Sequence, residues 1–303
     1  MTISTREPHN DRRHPAPPGQ KTRDSLFFNL IVPDEALGMQ IYTWVDQDGV
    51  AGRQVAVFGP ERRPLALEVE QNVAMGDADF DDWNIRGLHI GHPEPLRTAQ
   101  VRYASERVEL TYDFVGTHEP FTYTRNPVGC PDWMARDRFE QTGRVSGQLR
   151  VGDRVIAFDQ LAHRDHSWGR RNWGMPQHWK WLVAQAPSGA ALNAMLWIAR
   201  GEVGVNGYVL RDGEPVALTD ACWDTDYDDD MTQRRLETTL HDEDGGTTAL
   251  VLDRYGVVRL PFGSDTVVYE AACRATIDGE AGWGQFETLW AASYVNRLIG
   301  SAS

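Results

Sequence analysis

The chain has 303 residues and a formal net charge of -14, from 44 acidic and 30 basic side chains. That length suits about two domains of roughly 150 residues, each able to bury a real core. The acid excess repels phosphate backbones and argues against nucleic acid as a partner. No run approaches the roughly 18 apolar residues of a membrane span.

Residues 1–23 are polar, carry Pro15, Pro17 and Pro18, and lack an apolar signal core, so they are expected to form a disordered tail. The first ordered run is Asp24–Val32, followed by Leu37–Val45, a turn at Asp46-Gln-Asp-Gly49, and Gly52–Phe58. Apolar, β-branched runs closed by glycine-bearing turns are hairpin signals. The pattern continues through Leu65–Val69, Leu88–Ile90, Ala99–Ala104 and Val108–Phe114, the last with near-strict alternation.

A break follows where Pro127, Gly129 and Pro131 crowd together, giving expected domains of 24–138 and 139–303. The second series runs through Arg144–Arg150, Val155–Phe158, Trp179–Ala184, Ala191–Ile198, Val205–Leu210 and Val216–Leu218. It ends with Arg234–Leu240, Thr247–Asp253, Val257–Leu260, Thr266–Ile277 and Gly284–Leu289. Helical signals are confined to short pieces at Pro131–Arg136 and Leu289–Asn296. Many short strands with close turns predict an all-β protein of sandwiches or barrels.

Eleven tryptophans are a large inventory of rings, for cores or for the wall of an apolar ligand site. Cys130, Cys222 and Cys273 form no CxxC pair and read as reduced thiols of a cytoplasmic protein. Neither G-x-G-x-x-G nor a P-loop appears, so no cofactor is expected. The oligomeric state is left open, a homodimer included.

The segment 163–171 packs two histidines, a carboxylate, an indole and three arginines into nine positions, after Val155–Phe158 and before Trp179-Lys-Trp181. Asp165 can act as an acid, His166 as a proton relay near neutral pH, and Trp168 as a ring face for a developing cation. Arg170 is placed to orient the carboxylate. The alternative is an ionic clamp at a barrel corner. Those readings separate on whether Asp165 and His166 face an apolar cavity or lie sealed between strands.

A metal set of His163, His166 and His178 fails on an extended strand, since i and i+3 point oppositely, and no metal is expected. The stretch Asp220–Asp230 fails as an EF-hand loop, with Asp229 at position six and Arg235 at position twelve, and is read as a solvated acidic loop. Glu287 shares a face with Gln285 and Leu289. Inside a barrel its carboxyl would have a raised pKa.

Asp165-His-Ser-Trp-Gly169, with Phe139-Glu-Gln-Thr-Gly-Arg144 and Ser25-Leu-Phe-Phe-Asn29, resembles an uncharacterised bacterial branch of the carotenoid 1,2-hydratase (hydroxyneurosporene synthase) and AttH-like superfamily. The resemblance spans most of residues 24–290. It implies two lipocalin-like (calycin) antiparallel β-barrels packed together, with a ligand site in or between them. It also implies roles for His166 and Trp168, with Asp165 beside them.

In those hydratases a downstream Tyr and Asp also take part. The matching stretch here, Ala191–Ala194, offers Asn193 and no carboxylate, so a different acid, such as Glu140 or Glu287, or a different reaction is required. The expected catalytic set is Asp165, His166, Trp168 and Glu140. The expected substrate-binding set is Tyr123, Trp179, Trp181, Asn193, Arg170 and Glu287. Together they predict a cofactor-independent acid–base enzyme (hydratase or dehydratase, isomerase or cyclase) acting on a hydrophobic isoprenoid- or polyketide-like molecule. The alternative is a non-catalytic binder or carrier of apolar ligands.

Overall fold

A computed structural model describes residues 11–14, 16, 19–61, 63–262 and 265–301. The first series forms β1 (Arg23–Val32), β2 (Leu37–Asp46), β3 (Val50–Phe58), β4 (Ala66–Ala74), β5 (Asp82–Ile85) and β6 (Leu88–Gly91). It continues with β7 (Thr98–Ala104), β8 (Val108–Gly116), β9 (Phe121–Thr122), β10 (Asp137–Val151) and β11 (Arg154–Gly169). These make one antiparallel sheet in the order β4-β3-β2-β1-β11-β10-β8-β7-β6-β5, with β9 beside β10. It curls into a nearly closed barrel. Side chains bridge the gap: Glu68 of β4 accepts from Tyr103 and from Ser105 (2.9 Å), and Arg53 Nε donates to the Arg86 carbonyl (2.8 Å).

The second series is β12 (Pro176–Gln185), β13 (Ala191–Ala199), β14 (Glu202–Arg211), β15 (Glu214–Tyr227), β16 (Gln233–Asp242) and β17 (Thr247–Phe262). With β18 (Thr266–Ile277) and β19 (Glu280–Ala291) it closes into a barrel in sequence order, followed by helix α1 (Ala292–Ser301). The fold is thus the expected pair of lipocalin-like barrels. Among the described residues no helix is long and apolar enough to cross a membrane.

Alternation along β1 shows how the pair is built. Leu26, Phe28 and Leu30 belong to the core of the first barrel, while Phe27 and Ile31 belong to a second apolar cluster shared with Trp181, Trp197 and Leu260 of the other barrel. Leu182, Leu192, Leu250 and Phe286 fill the second barrel itself. Hence β1 is buried on both faces, which is why Leu26–Val32 reads as an apolar run broken only by Asn29. Four tryptophans lie in the inter-barrel cluster (Trp133, Trp179, Trp181, Trp197), and Trp173 and Trp283 pack against it, so the tryptophan surplus collects at the seam.

Several expectations need correction. Strand β11 does not stop at Phe158 but runs to Gly169, so the polar segment 163–169 is strand, not a loop after one. It pairs with β1 and β10, so residues 139–169 lie in the first sheet and the break between sheets falls between Gly169 and Pro176. The pairing of β1 with β11 joins segments some 140 positions apart, which no local pattern can reveal. The acidic stretch at 220–227 is likewise part of strand β15, with Asp220, Asp224 and Asp226 exposed. Residues 131–136 form turns rather than a helix, and α1 starts only at Ala292. Of the expected tail, residues 1–10 lie outside the described residues, but Asp11 is buried and paired to Arg164 of β11 (2.9 Å).

Candidate active site between the barrels

Strands β10 and β11 form a hairpin in register from Asp137↔Trp168 to Val151↔Arg154, and it places Glu140 directly opposite Asp165. Both face the second barrel. So does Arg138, whose guanidinium spans the two carboxyls, with Nε 2.5 Å from Glu140 Oε1 and Nη2 2.9 Å from Asp165 Oδ2. Behind Glu140, His163 Nε2 lies 2.7 Å from Oε2, and Trp181 Nε1 donates to Oε1 at 3.1 Å.

These contacts divide the charge. Burial penalises the Glu140 anion, but Arg138, His163 and Trp181 outweigh it and hold its pKa below the usual range. Burial also holds His163 down against the pull of Glu140. A neutral His163 donates through Nε2 and leaves Nδ1, which has no partner, as a bare lone pair. For Asp165 burial wins: despite Arg138, and with Glu140 adding repulsion, its pKa is pushed up to about 7.

Asp165 opens onto a cleft between the barrels with about 690 Å³ of empty space, its mouth included. Trp173, Trp179, Trp181, Met195 and Phe27 supply apolar walls, and Arg138, Glu270 and Glu287 the polar ones. Glu270 and Glu287 are paired neighbours on β18 and β19. Burial and their mutual repulsion raise Glu270 well above the carboxylate range. Burial raises Glu287 too, against the hydrogen bond that Trp179 Nε1 donates to Oε1 at 2.5 Å. Gln285 Nε2 donates to Glu270 Oε2 at 2.6 Å. The cleft therefore has carboxyls of raised pKa on both walls, and an ionised Glu140 set behind one wall.

The structure separates the expected catalytic set. Consecutive strand residues point to opposite faces, so Asp165 faces the cleft and His166 faces the inside of the first barrel. There His166 Nε2 lies 2.6 Å from Asp24 Oδ1, with Phe80 and Phe139 edge-on. Trp168 also points inward, 2% exposed, stacked on His14 with ring centroids 3.9 Å apart. The two therefore lie outside the cleft. Gly169 (φ +112°) ends the strand, and only glycine fits there, because a Cβ would stand 2.6 Å from the backbone nitrogen of Arg136.

Arg170 is exposed beyond the strand end, and Arg138 takes the position beside Asp165 expected for it. Tyr123 and Asn193 are hydrogen bonded to each other (3.0 Å) in the buried layer beside Glu140, and neither lines the cleft. Trp179, Trp181 and Glu287 do line it. Glu287 belongs to the space between the barrels rather than to the inside of one.

His163, His166 and His178 lie at three separate places. A different trio, His14, Asp24 and His166, presents ligand atoms within 4.8 Å of one another, away from the cleft. Arg138 and Glu270 were not singled out in the sequence. Glu270 carried a signal, a lone acid inside the apolar run Val267-Val-Tyr-Glu-Ala-Ala-Cys273. Arg138 carried only its position two residues before Glu140.

A pair of lipocalin-like barrels with an aromatic, acid-lined cleft between them defines the class. Within it, the chain belongs to the family of the domain of unknown function DUF7064, whose profile matches residues 7–292. No curated protein matches it. Among solved structures it is similar to an AttH candidate from Nitrosomonas europaea, with a TM-score of 0.63 at 15% identity over 91% of this chain and 98% of that one. It is also similar to kievitone hydratase from Nectria haematococca, with a TM-score of 0.55 at 12% identity over 92% and 91% of the two chains. CghA gives 0.56 at 13% identity over 89% and 87%. The likeness to the carotenoid hydratase and AttH-like superfamily thus holds at the level of the fold, one that at least one hydratase shares.

Proposed function

We propose that this protein is a cofactor-independent acid–base enzyme that adds, removes or relocates a proton on a hydrophobic small molecule held between the barrels. The observation that carries this reading is the placing of Asp165, with its pKa of about 7, across an aromatic cleft from Glu270 and Glu287. A group that titrates near the working pH can both give and take a proton, which is worth roughly 10²–10⁴-fold in rate. Carboxyls on both walls allow a protonated one, such as Glu270, to protonate a double bond or a leaving hydroxyl while Asp165, once ionised, removes a proton elsewhere.

The ring faces of Trp179 and Trp181 would stabilise positive charge developing between those steps. Arg138 and ionised Glu140 would hold Asp165 in place, with Glu140 as the fixed anion that keeps the Arg138 charge from stripping the Asp165 proton. Isoprenoid- or polyketide-like alkenes and β-hydroxy carbonyl compounds fit this chemistry, in a hydratase, isomerase or cyclase reaction. The kinship in fold with a hydratase supports the class and leaves the substrate to experiment.

The test is solvent-deuterium incorporation into a panel of such compounds in D2O, read by mass spectrometry. Incorporation should require the protein and be lost in Asp165→Asn. Folded Asp165→Asn, Glu270→Gln and Glu287→Gln variants that all match the wild type would sink the assignment. A ligand that binds in the cleft with no exchange in any case would instead mark a carrier of apolar molecules.

A further inference from the structure

The triplet Trp179-Lys180-Trp181 alternates across strand β12. The two indoles face the inter-barrel cleft, and Lys180 points the other way, toward the inside of the second barrel with Leu182 and Ala184. It ends in a separate cavity at the barrel mouth, with about 1130 Å³ of empty space counted out to solvent. The aromatic walls are Trp223, Tyr227, Trp290 and Tyr294, the last from α1.

Lys180 is 5% exposed, yet among the described residues no carboxylate stands within salt-bridge distance of its amine. Its one polar contact is His178 Nε2 at 2.8 Å. His178 Nδ1 donates to the Leu289 carbonyl (2.7 Å), so Nε2 is the lone pair that receives the ammonium proton, and the ring brings no negative charge. The Nζ atom lies 5.8 Å from the ring centroids of both Trp223 and Tyr227. Trp290, whose ring lines the same cavity, has its Nε1 buried without a hydrogen-bond partner.

A buried ammonium without a counter-charge and an unused indole N–H around one apolar cavity are the reverse of a finished core, where such groups are paired. We infer that the mouth of the second barrel is a binding site for an amphipathic organic carboxylate. Its acid group pairs with Lys180 and accepts from Trp290 Nε1, and its apolar body lies among the aromatic rings. This site is independent of the inter-barrel cleft and of the reaction proposed there.

The charge state supplies a handle. Burial pushes the Lys180 amine down to about 8, and an anion bound to it would favour the charged form, so affinity should fall as pH rises through that range. The other titratable groups at the cavity are His178 on the same strand, Tyr227 and the rim residue Asp224 from β15, and Tyr294 from α1. Strands β13 and β19 contribute Ile198 and Trp290. His178 is held at about 3 by burial and by Lys180, and burial pushes Tyr227 far up, so neither changes charge between pH 7 and 9.5.

The experiment is a fluorescence titration with 1-pyrenebutyrate and its neutral counterpart 1-pyrenebutanol. Wild type should prefer the carboxylate at pH 7 and lose most of that preference at pH 9.5. Lys180→Met should weaken the carboxylate about tenfold and leave the alcohol unchanged, with Lys180→Arg in between. Asp165→Asn, which alters only the other cleft, should change neither. Equal affinity of wild type and Lys180→Met for the carboxylate overturns the proposal, as does a carboxylate preference abolished by Asp165→Asn. Should Lys180→Met lose both ligands, Trp290→Phe decides. A selective loss of the carboxylate there upholds the site, and an unchanged carboxylate-to-alcohol ratio refutes it.

Discussion

Glu140 and Asp165 stand opposite each other in the β10–β11 ladder and share one arginine, yet Glu140 holds its charge and Asp165 keeps its proton to about pH 7. Like charges directly opposite on a sheet are destabilising, and the division of roles avoids that repulsion. Arg138 alone is in ion-pair contact with both. Arg138→Met should therefore leave Glu140 buried without its main counter-charge and cost about 3–5 kcal/mol of stability. Urea unfolding measures this, and a loss under about 1 kcal/mol would mean the pair is held by other groups.

The proton on Asp165 predicts a pH profile for activity. If Asp165 donates, kcat/KM for any substrate found should fall as pH rises through about 7. Asp165→Asn should abolish turnover rather than shift the profile. A wild-type profile flat from pH 6 to 9 would remove Asp165 from the proton-transfer step.

The same shift makes a stability prediction of opposite flavour. The folded-state pKa of Asp165 lies above the unfolded value of about 3.9. Its contribution is therefore fully present below that value and is lost as pH rises through about 7. Asparagine cannot ionise, so at pH 8.5 Asp165→Asn should melt at or above the wild-type temperature while being inactive, as expected where an active-site group is held in a strained charge state. A lower melting temperature for the variant at pH 8.5 contradicts this account.

How much of this was legible in the sequence depended on locality. Hairpins closed by short turns, such as Asp46-Gln-Asp-Gly49 between β2 and β3, showed in the residues themselves. The end of β11 did not. His163, Asp165 and Ser167 look like loop residues, yet each is buried, because barrels cover both faces of the strand and Glu140, Arg138 and Arg171 take up their polar atoms, His163 Nδ1 excepted. Once the segment is strand, alternation separates Asp165 from His166, because neighbours on one strand point to opposite faces. That His166 would find Asp24, and Asp165 find Arg138, needed the register.

Trp168 separates packing from chemistry. Its ring fills the end of the first barrel against Leu96 and Phe139 and beneath His14. Trp168→Ala should cost about 3–5 kcal/mol in urea unfolding, with kcat/KM at a permissive temperature within twofold of wild type. Trp181→Phe removes a donor from Glu140 and one edge of the cleft, so it should change kcat/KM at least tenfold with a smaller stability loss. The reverse ordering would return Trp168 to the site.

The last test concerns the segment before β1. Asp11 pairs with Arg164, which is itself held by the Gln141 side chain (2.8 Å) and lies between the rings of Phe114 and Phe139. Burial opposes the Asp11 anion, but Arg164, His92 and the amide of Leu96 outweigh it and keep its pKa low. Its stabilising effect is thus present above the unfolded pKa of about 3.9 and fades as pH falls through the lower folded value. Asp11→Asn leaves the Arg164 charge buried without its counter-ion and should cost about 3–5 kcal/mol at pH 7. The double variant Asp11→Asn/Arg164→Met should cost less than the sum of the single changes, because it removes both members of the pair. Strict additivity in that cycle would show that Asp11 does not neutralise Arg164 and that the segment rests on the first barrel by other contacts.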